Sequence, residues 1–294
     1  ETASQAASRL GVRLTVIGAE DAYLDVIRKP KYGYGRGANP CVDCRIYMFE
    51  RARMFMDEVG ASLAISGEVL GQRPMSQKRR DLDVIAEKSG LHGRLLRPLS
   101  AKLLPPTLPE LTGAIDRMRL YDFVGRSRKG LIALARQFGY EDCEIPSPST
   151  GCMLTEQTFA PRVHDLIQIQ TDNNTAWDFE LLKWGRHFRF DASAKVVVGR
   201  RQSDNAMLEY LIARPDARVS AILRPQNFSG PLVIVAGRAA EAATDAAVEF
   251  AAGLLRRYSK LDGHADPIMS VERNDATTLR PVGDHHEAVA TETI

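Results

Sequence analysis

Residues 44–68 read CRIYMFERARMFMDEVGASLAISGE, and this stretch decides the fold. From Cys44 to Val59 the apolar positions Met48, Ala52, Phe55 and Val59 recur at helical spacing, and Gly60 supplies the stop. Leu63-Ala64-Ile65 then reads as a buried strand closing in the turn Ser66-Gly67-Glu68. Upstream, Ala3 to Leu10 reads as a helix ended by Gly11, Val12 to Ile17 as a short apolar strand, and Glu20 to Ile27 as a second helix. Strand, helix, strand in this order predicts an α/β domain with a parallel sheet, whose ligands sit beyond the C-terminal strand ends. That rule places Ser66, Gly67, Gln72 and Arg73 at a cleft.

Further along, Arg94 to Pro98 reads as a strand, and Leu103 to Pro109 is broken by prolines. A basic helix starts near Ser127, carries Arg128, Lys129, Leu131 and Leu134, and stops at Gly139. Ser147 to Cys152 is a turn-rich loop, and Thr171 to Asn174 reads as a linker. Beyond it strands are expected at Leu181–Phe190, Ala194–Val198, Ser220–Leu223 and Pro231–Val235, with helices near Asp204–Ile212 and Ala240–Arg257. This predicts a first domain over residues 1–170, a smaller α+β domain over 175–270, and a polar, partly disordered tail over 271–294. There is no internal repeat.

The 294 residues are 44% hydrophobic and 26% charged, enough for a sizeable core in two domains. Four cysteines in such a chain do not make a secreted disulfide framework. Nothing reads as a signal peptide, and no apolar run approaches the ~18 residues needed to span a bilayer. A cytoplasmic location with reduced thiols and no membrane partner is the expectation. The net charge of +2 means that any nucleic-acid binding must come from local basic clusters. The chain opens at Glu1 rather than at a methionine, which suggests a missing upstream piece.

Cys41-Val42-Asp43-Cys44 follows Asn39-Pro40 and is answered by Gly151-Cys152. Two cysteines two residues apart converge on one metal or one redox centre, and a third thiol offers a further ligand or a partner for sulfur exchange. Three thiolates leave a coordination position open for chemistry. The competing reading is a structural zinc site completed by Cys152 and a histidine such as His92 or His164. Cys143 lies between Asp142 and Glu144, whose charges disfavour a thiolate, and is read as a bystander. Gly33, Gly35 and Gly37 match no phosphate fingerprint and read as a flexible loop.

Taken together, Asn39-Pro40-x-x-x-Cys44, the helix and strand ending in Ser66-Gly67, Met75-Ser76-Gln77 and Ser149-Thr150-Gly151-Cys152 resemble the second half of the ATP-dependent tRNA thiouridylases. These are 2-thiouridine synthases of the adenine-nucleotide α-hydrolase superfamily, and the resemblance covers residues 1 to about 170. It implies catalytic roles for Cys44 and Cys152, and an ATP cleft with Mg2+ at Ser66, Gly67, Gln72 and Arg73. Cys41 stands where many members carry aspartate, which resembles the iron–sulfur variant; a [4Fe–4S] cluster on Cys41, Cys44 and Cys152 is implied. The implied reaction adenylates a uracil oxygen of tRNA, and a persulfide or iron-bound hydrosulfide then displaces AMP. The implied partners are tRNA and a sulfur donor, either a cysteine desulfurase or free sulfide, with a homodimer as the assembly considered. The family's Ser-Gly-Gly-x-Asp-Ser pyrophosphatase loop does not occur in this sequence and is expected upstream of Glu1.

The second domain carries Leu182-Lys183-Trp184-Gly185-Arg186-His187-Phe188-Arg189-Phe190. On a strand, alternation puts Lys183, Gly185, His187 and Arg189 on one face and Trp184, Phe188 and Phe190 on the other. Lys183, His187, Arg189 and Lys195 are expected to form a basic stripe that tracks RNA phosphates, with Arg186 as a further RNA contact, and Arg126, Arg128 and Lys129 a second RNA contact near the Cys152 loop. The segment resembles, less specifically, the RNA-binding module at the C-terminus of NFACT proteins, over about residues 175–262. Two other function classes remain open: a non-catalytic RNA-binding protein with structural zinc, and an ATP pyrophosphatase-type ligase or amidotransferase acting on a small molecule.

Overall fold

Prolines and glycines bound the helices of the first unit, and a short parallel strand pair joins them. The computed structural model describes residues 3–19, 21–145, 147, 151–169, 174–237, 244–261 and 266–283. The chain divides into two units, Glu1–Cys152 and Met153–Ile294. The division precedes the linker read at Thr171–Asn174, of which residues 171–173 lie outside the described residues.

The first unit contains α1 (Ala3–Leu10), α2 (Ala22–Arg28), α3 (Cys41–Glu58), β1 (Ala64–Ile65), α4 (Arg79–Lys88), β2 (Leu95–Leu96), α5 (Leu108–Leu111) and α6 (Lys129–Gln137). Strands β1 and β2 pair in parallel, Ala64 opposite Leu95 and Ile65 opposite Leu96. Met56 of α3 packs with Ala86, Leu91 and Leu95 to form the core beneath this pair. Helix α3 starts at Cys41, earlier than its apolar spacing indicates, because Pro40 occupies the position before the first turn, where no N–H is needed. Two expectations fail here. Val12 to Ile17 is not a strand, and its apolar side chains are exposed. Ile65 is 66% exposed, so β1 is not buried on both faces. An apolar run becomes a buried strand only when neighbours pair with it and layers cover it.

The second unit opens with α7 (Ala160–Ile169) and α8 (Ala176–Leu181), followed by β3 (Arg186–Arg189), β4 (Ala194–Val198), α9 (Gln202–Ile212), β5 (Val219–Pro225), β6 (Val233–Gly237), α10 (Asp245–Arg257), β7 (Ile268–Arg273) and β8 (Ala276–Pro281). Six strands make one antiparallel sheet in the order β3-β4-β6-β5-β7-β8. One face packs Val196, Val198, Leu223, Val233 and Val235 against Ala251, Leu254 and Leu255 of α10. The other packs Val197, Ile222 and Ile234 against Trp177 of α8 and Leu208 and Leu211 of α9. Helices on both faces explain why β4 is buried along its whole length and reads as a nearly unbroken apolar run. Trp177 closes its layer by donating from Nε1 to the Leu211 carbonyl at 2.9 Å.

The molecule as a whole is thus mixed α/β, with a two-stranded parallel sheet and a six-stranded antiparallel one. The strand expected from Leu181 to Phe190 is shorter. Thr175 and Asp178 form a capping box that starts α8, and the helix takes up Leu181. The chain then turns at Gly185, φ +73°, where an added Cβ would lie 2.7 Å from the Val198 carbonyl oxygen. The tail expected over 271–294 is also corrected: residues 268–281 form the β7–β8 hairpin, turning through Asn274 and Asp275, both at positive φ. Residues 284–294, and 240–243 of the helix expected from Ala240, lie outside the described residues. Among the described residues no helix is long and apolar enough to cross a membrane.

Candidate functional site

The thiols of the first unit are set by a tied loop. Asn39 is buried; its Nδ2 donates to Cys41 Sγ at 3.0 Å, and its Oδ1 accepts from Gly37 N at 3.0 Å. Asp43 accepts from the backbone N–H groups of Lys31 and Tyr32 at 2.9 and 3.0 Å. Gly35 lies so close to Asn39 that a Cβ there would meet its amide at 2.2 Å. The glycine stretch read as flexible is therefore packed against the start of α3.

Cys44 Sγ lies 3.3 Å from Tyr23 Oη, and the Tyr23 ring is tilted against Tyr47 at 5.3 Å. A cavity of about 280 Å³ opens beside them, lined among others by Ile17, Tyr23, Cys44, Tyr47, Met48 and Arg51. Burial pushes the Cys44 thiol up, while the Tyr23 hydrogen bond and the Arg45 charge act against it. Tyr23 is pushed up too, by burial first, then by its bond to Cys44 and by the charges of Cys44, Cys152 and Cys41. The three thiols thus share one electrostatic neighbourhood. Among the described residues, however, no three His, Cys, Asp or Glu side chains are arranged to hold a metal ion. As placed, Cys41, Cys44 and Cys152 are not arranged to hold a four-iron cluster. Cys152 is exposed, and Ser149 and Thr150 before it lie outside the described residues. Cys143 is exposed, and its flanking carboxylates are held by arginines, Asp142 by Arg136 and Glu144 by Arg9.

At the residues expected to form the ATP cleft, the Ser66 hydroxyl and the backbone N–H groups of Gln72 and Arg73 bond within the loop. Ser66 Oγ accepts from Glu68 N at 3.2 Å, Gln72 N donates to Val69 O, and Arg73 N donates to Gln77 Oε1. Gly67 and Arg73 are exposed. Glu68 is buried against Arg97 at 2.9 Å, with Arg45 3.7 Å from its other oxygen. Arg126, Arg128 and Lys129 flank the start of α6, with Arg126 and Lys129 exposed. Cations at the positive end of a helix gain nothing from its dipole, so helix stability does not account for them.

In the second unit the basic stripe is corrected. His187, Arg189 and Lys195 do share a face, because His187 pairs with Val197 and Arg189 with Lys195 across β3 and β4. That face is covered rather than solvated. His187 is 0% and Lys195 4% exposed. Asp165 of α7 takes the Arg189 fork at 2.5 and 3.1 Å and Lys195 Nζ at 3.2 Å. Burial pulls the Lys195 ammonium down to about 8 despite Asp165. The same burial, with the charges of Lys195, Arg162 and Arg200, holds His187 well below its ordinary value, and His187 Nε2 donates to Trp184 O at 2.8 Å. Asp165 itself is pushed up by burial, but the Arg189 hydrogen bond and the two cations outweigh this and hold it below the usual range. Lys183 is exposed and pairs with Glu180 at 2.7 Å. Arg186 is on the opposite face, its guanidinium 4.6 Å from the Tyr258 ring centroid. The reading from sequence missed the run Arg256-Arg257-Tyr258-Ser259-Lys260, whose mix of basic and aromatic residues was visible in the composition of that segment alone.

Residues 185–285 match the family model for the NFACT protein RNA binding domain. An NFACT-type RNA-binding domain therefore occupies the stretch that folds as β3 to β8. A solved structure, the C-terminal of the fibronectin/fibrinogen-binding protein from Streptococcus suis (FBPS), is 11% identical over 84% of this chain and 92% of its own, with a TM-score of 0.28. No curated protein matches.

Proposed function

We propose that this protein binds RNA through residues 185–285 and acts on a uridine of tRNA with the thiols of its first unit. The observation that carries the reading is the NFACT RNA-binding match over the six-stranded sheet. The finer part, ATP-dependent tRNA thiolation in the cytoplasm, draws support from the spaced motifs at Asn39–Cys44, Ser66–Gln77 and Ser149–Cys152. It also draws support from the cavity beside Cys44. The sulfur step is written on the thiols alone. The Cys152 thiolate attacks the outer sulfur of a cysteine desulfurase persulfide, the desulfurase thiolate leaves, and the terminal sulfur of the resulting Cys152 persulfide bonds to the adenylated uracil carbon as AMP leaves. Cys44 closes a disulfide with Cys152, so the two thiols supply the electrons that reduce the transferred sulfur.

Titrating the full chain with an unmodified tRNA transcript tests the first part. Binding that weakens steeply with salt is expected; no complex at about 50 mM salt would contradict it. Nucleoside mass spectrometry on cells lacking the gene, complemented with each variant, tests the second. Cys44→Ala and Cys152→Ala should abolish the thiolated nucleoside and Cys143→Ala should retain it; full thiolation with Cys152→Ala would require another sulfur path.

A further inference from the structure

We propose that Arg186, Tyr258, Arg257 and Lys260 form the phosphate-binding surface of the second unit, with the RNA backbone as its ligand. The proposal rests on the RNA-binding reading and locates its contact. Many other arginines of this unit are already held by carboxylates: Arg189 by Asp165, Arg218 by Asp178, Arg224 by Glu209 and Glu272. Arg186 is held differently. Its guanidinium lies over the Tyr258 ring at 4.6 Å, and that of Arg257 lies 5.7 Å from the same centroid. Among the described residues neither Arg186 nor Lys260 has a carboxylate within salt-bridge distance.

Stacking on an aromatic ring restrains the guanidinium plane while leaving its N–H edge able to meet a phosphate bidentately. Tyr258 is itself anchored, packing on the buried Phe188 at 6.1 Å and on the core beneath α10. Lys260 is exposed, and its backbone is fixed beside the β5–β6 loop by donation from its N–H to Ser229 O at 3.0 Å. Three cations are thereby carried on a rigid edge made by the start of β3 and the end of α10. Arg256 already serves that helix end by donating to the Gly283 carbonyl. A net charge of only +2 leaves RNA affinity to local clusters of this kind.

The test titrates labelled tRNA against the full chain at several salt concentrations, comparing wild type with Arg186→Ala/Lys260→Ala, Tyr258→Leu, and Arg214→Ala as a control cation paired with Asp216. The double variant should lose about 10-fold in affinity at ~0.1 M salt, and its log K against log salt slope should flatten by about one per removed cation. Tyr258→Leu keeps every charge but frees the guanidinium groups, and should weaken binding while the control does not. Circular dichroism melts establish that each variant is folded; should Tyr258→Leu unfold, the double variant decides. If wild type binds and the double variant binds with equal affinity and slope, the surface is wrong and the RNA-binding reading stands. If wild type binds no RNA, both fall.

Discussion

Asp165 holds two cations, Arg189 and Lys195, within a largely covered layer. Removing one partner of such a group leaves buried charge uncompensated, so Asp165→Ala should cost about 3–5 kcal/mol in urea unfolding at pH 7. A loss under about 1 kcal/mol would mean that water reaches the cations. His187 adds a pH dependence. Its folded-state value is depressed, so below about pH 6.5 the unfolded chain takes up a proton that the folded chain refuses. Stability should be independent of this group above that pH and fall beneath it by up to about 1.4 kcal/mol per pH unit. His187→Gln should remove the slope between about pH 6.5 and 5, and an unchanged slope would assign it to another group. Alternation read correctly that His187, Arg189 and Lys195 share a face. It could not show that this face looks at α7, because the carboxylate that neutralises it comes from a helix outside the basic segment.

At the scale of elements, strands lying within continuous apolar runs were legible, and those depending on neighbours were not. Ala194–Val198 was placed residue for residue, since burial on both faces makes its sequence apolar throughout. Val12–Ile17 has comparable composition but forms no strand, because pairing depends on partners that a local window does not contain. The turn at Gly185 decides where α8 stops and β3 begins. Gly185→Ala would force a side chain into a left-handed backbone against the Val198 carbonyl, and should cost about 2 kcal/mol or more. A melting temperature unchanged within a degree would show that the turn can relax. Thiol accessibility checks the first unit in the same way. Iodoacetamide at neutral pH should label Cys143 and Cys152 before Cys44, which is part-buried against Tyr23. Labelling of Cys44 first, seen by peptide mass spectrometry, would mean that its thiolate is far more accessible than this packing allows.

Over the whole molecule, the sequence indicated an α/β unit followed by a smaller mixed one, and the second carries an NFACT-type RNA-binding domain. Its last hairpin was missed because β8 is exposed along its length and so has no apolar pattern to read. The spacing of Cys41 and Cys44 places both in the first turn of α3, and no metal-holding arrangement appears among the described residues. RNA binding by the second unit is the claim on which the functional account depends. Ultraviolet cross-linking of tRNA to the full chain, with the linked peptides identified by mass spectrometry, tests it most directly. The account predicts nucleotide adducts within residues 185–285, concentrated near Arg186 and Arg257–Lys260; adducts confined to residues 1–152, or none at all, would contradict it.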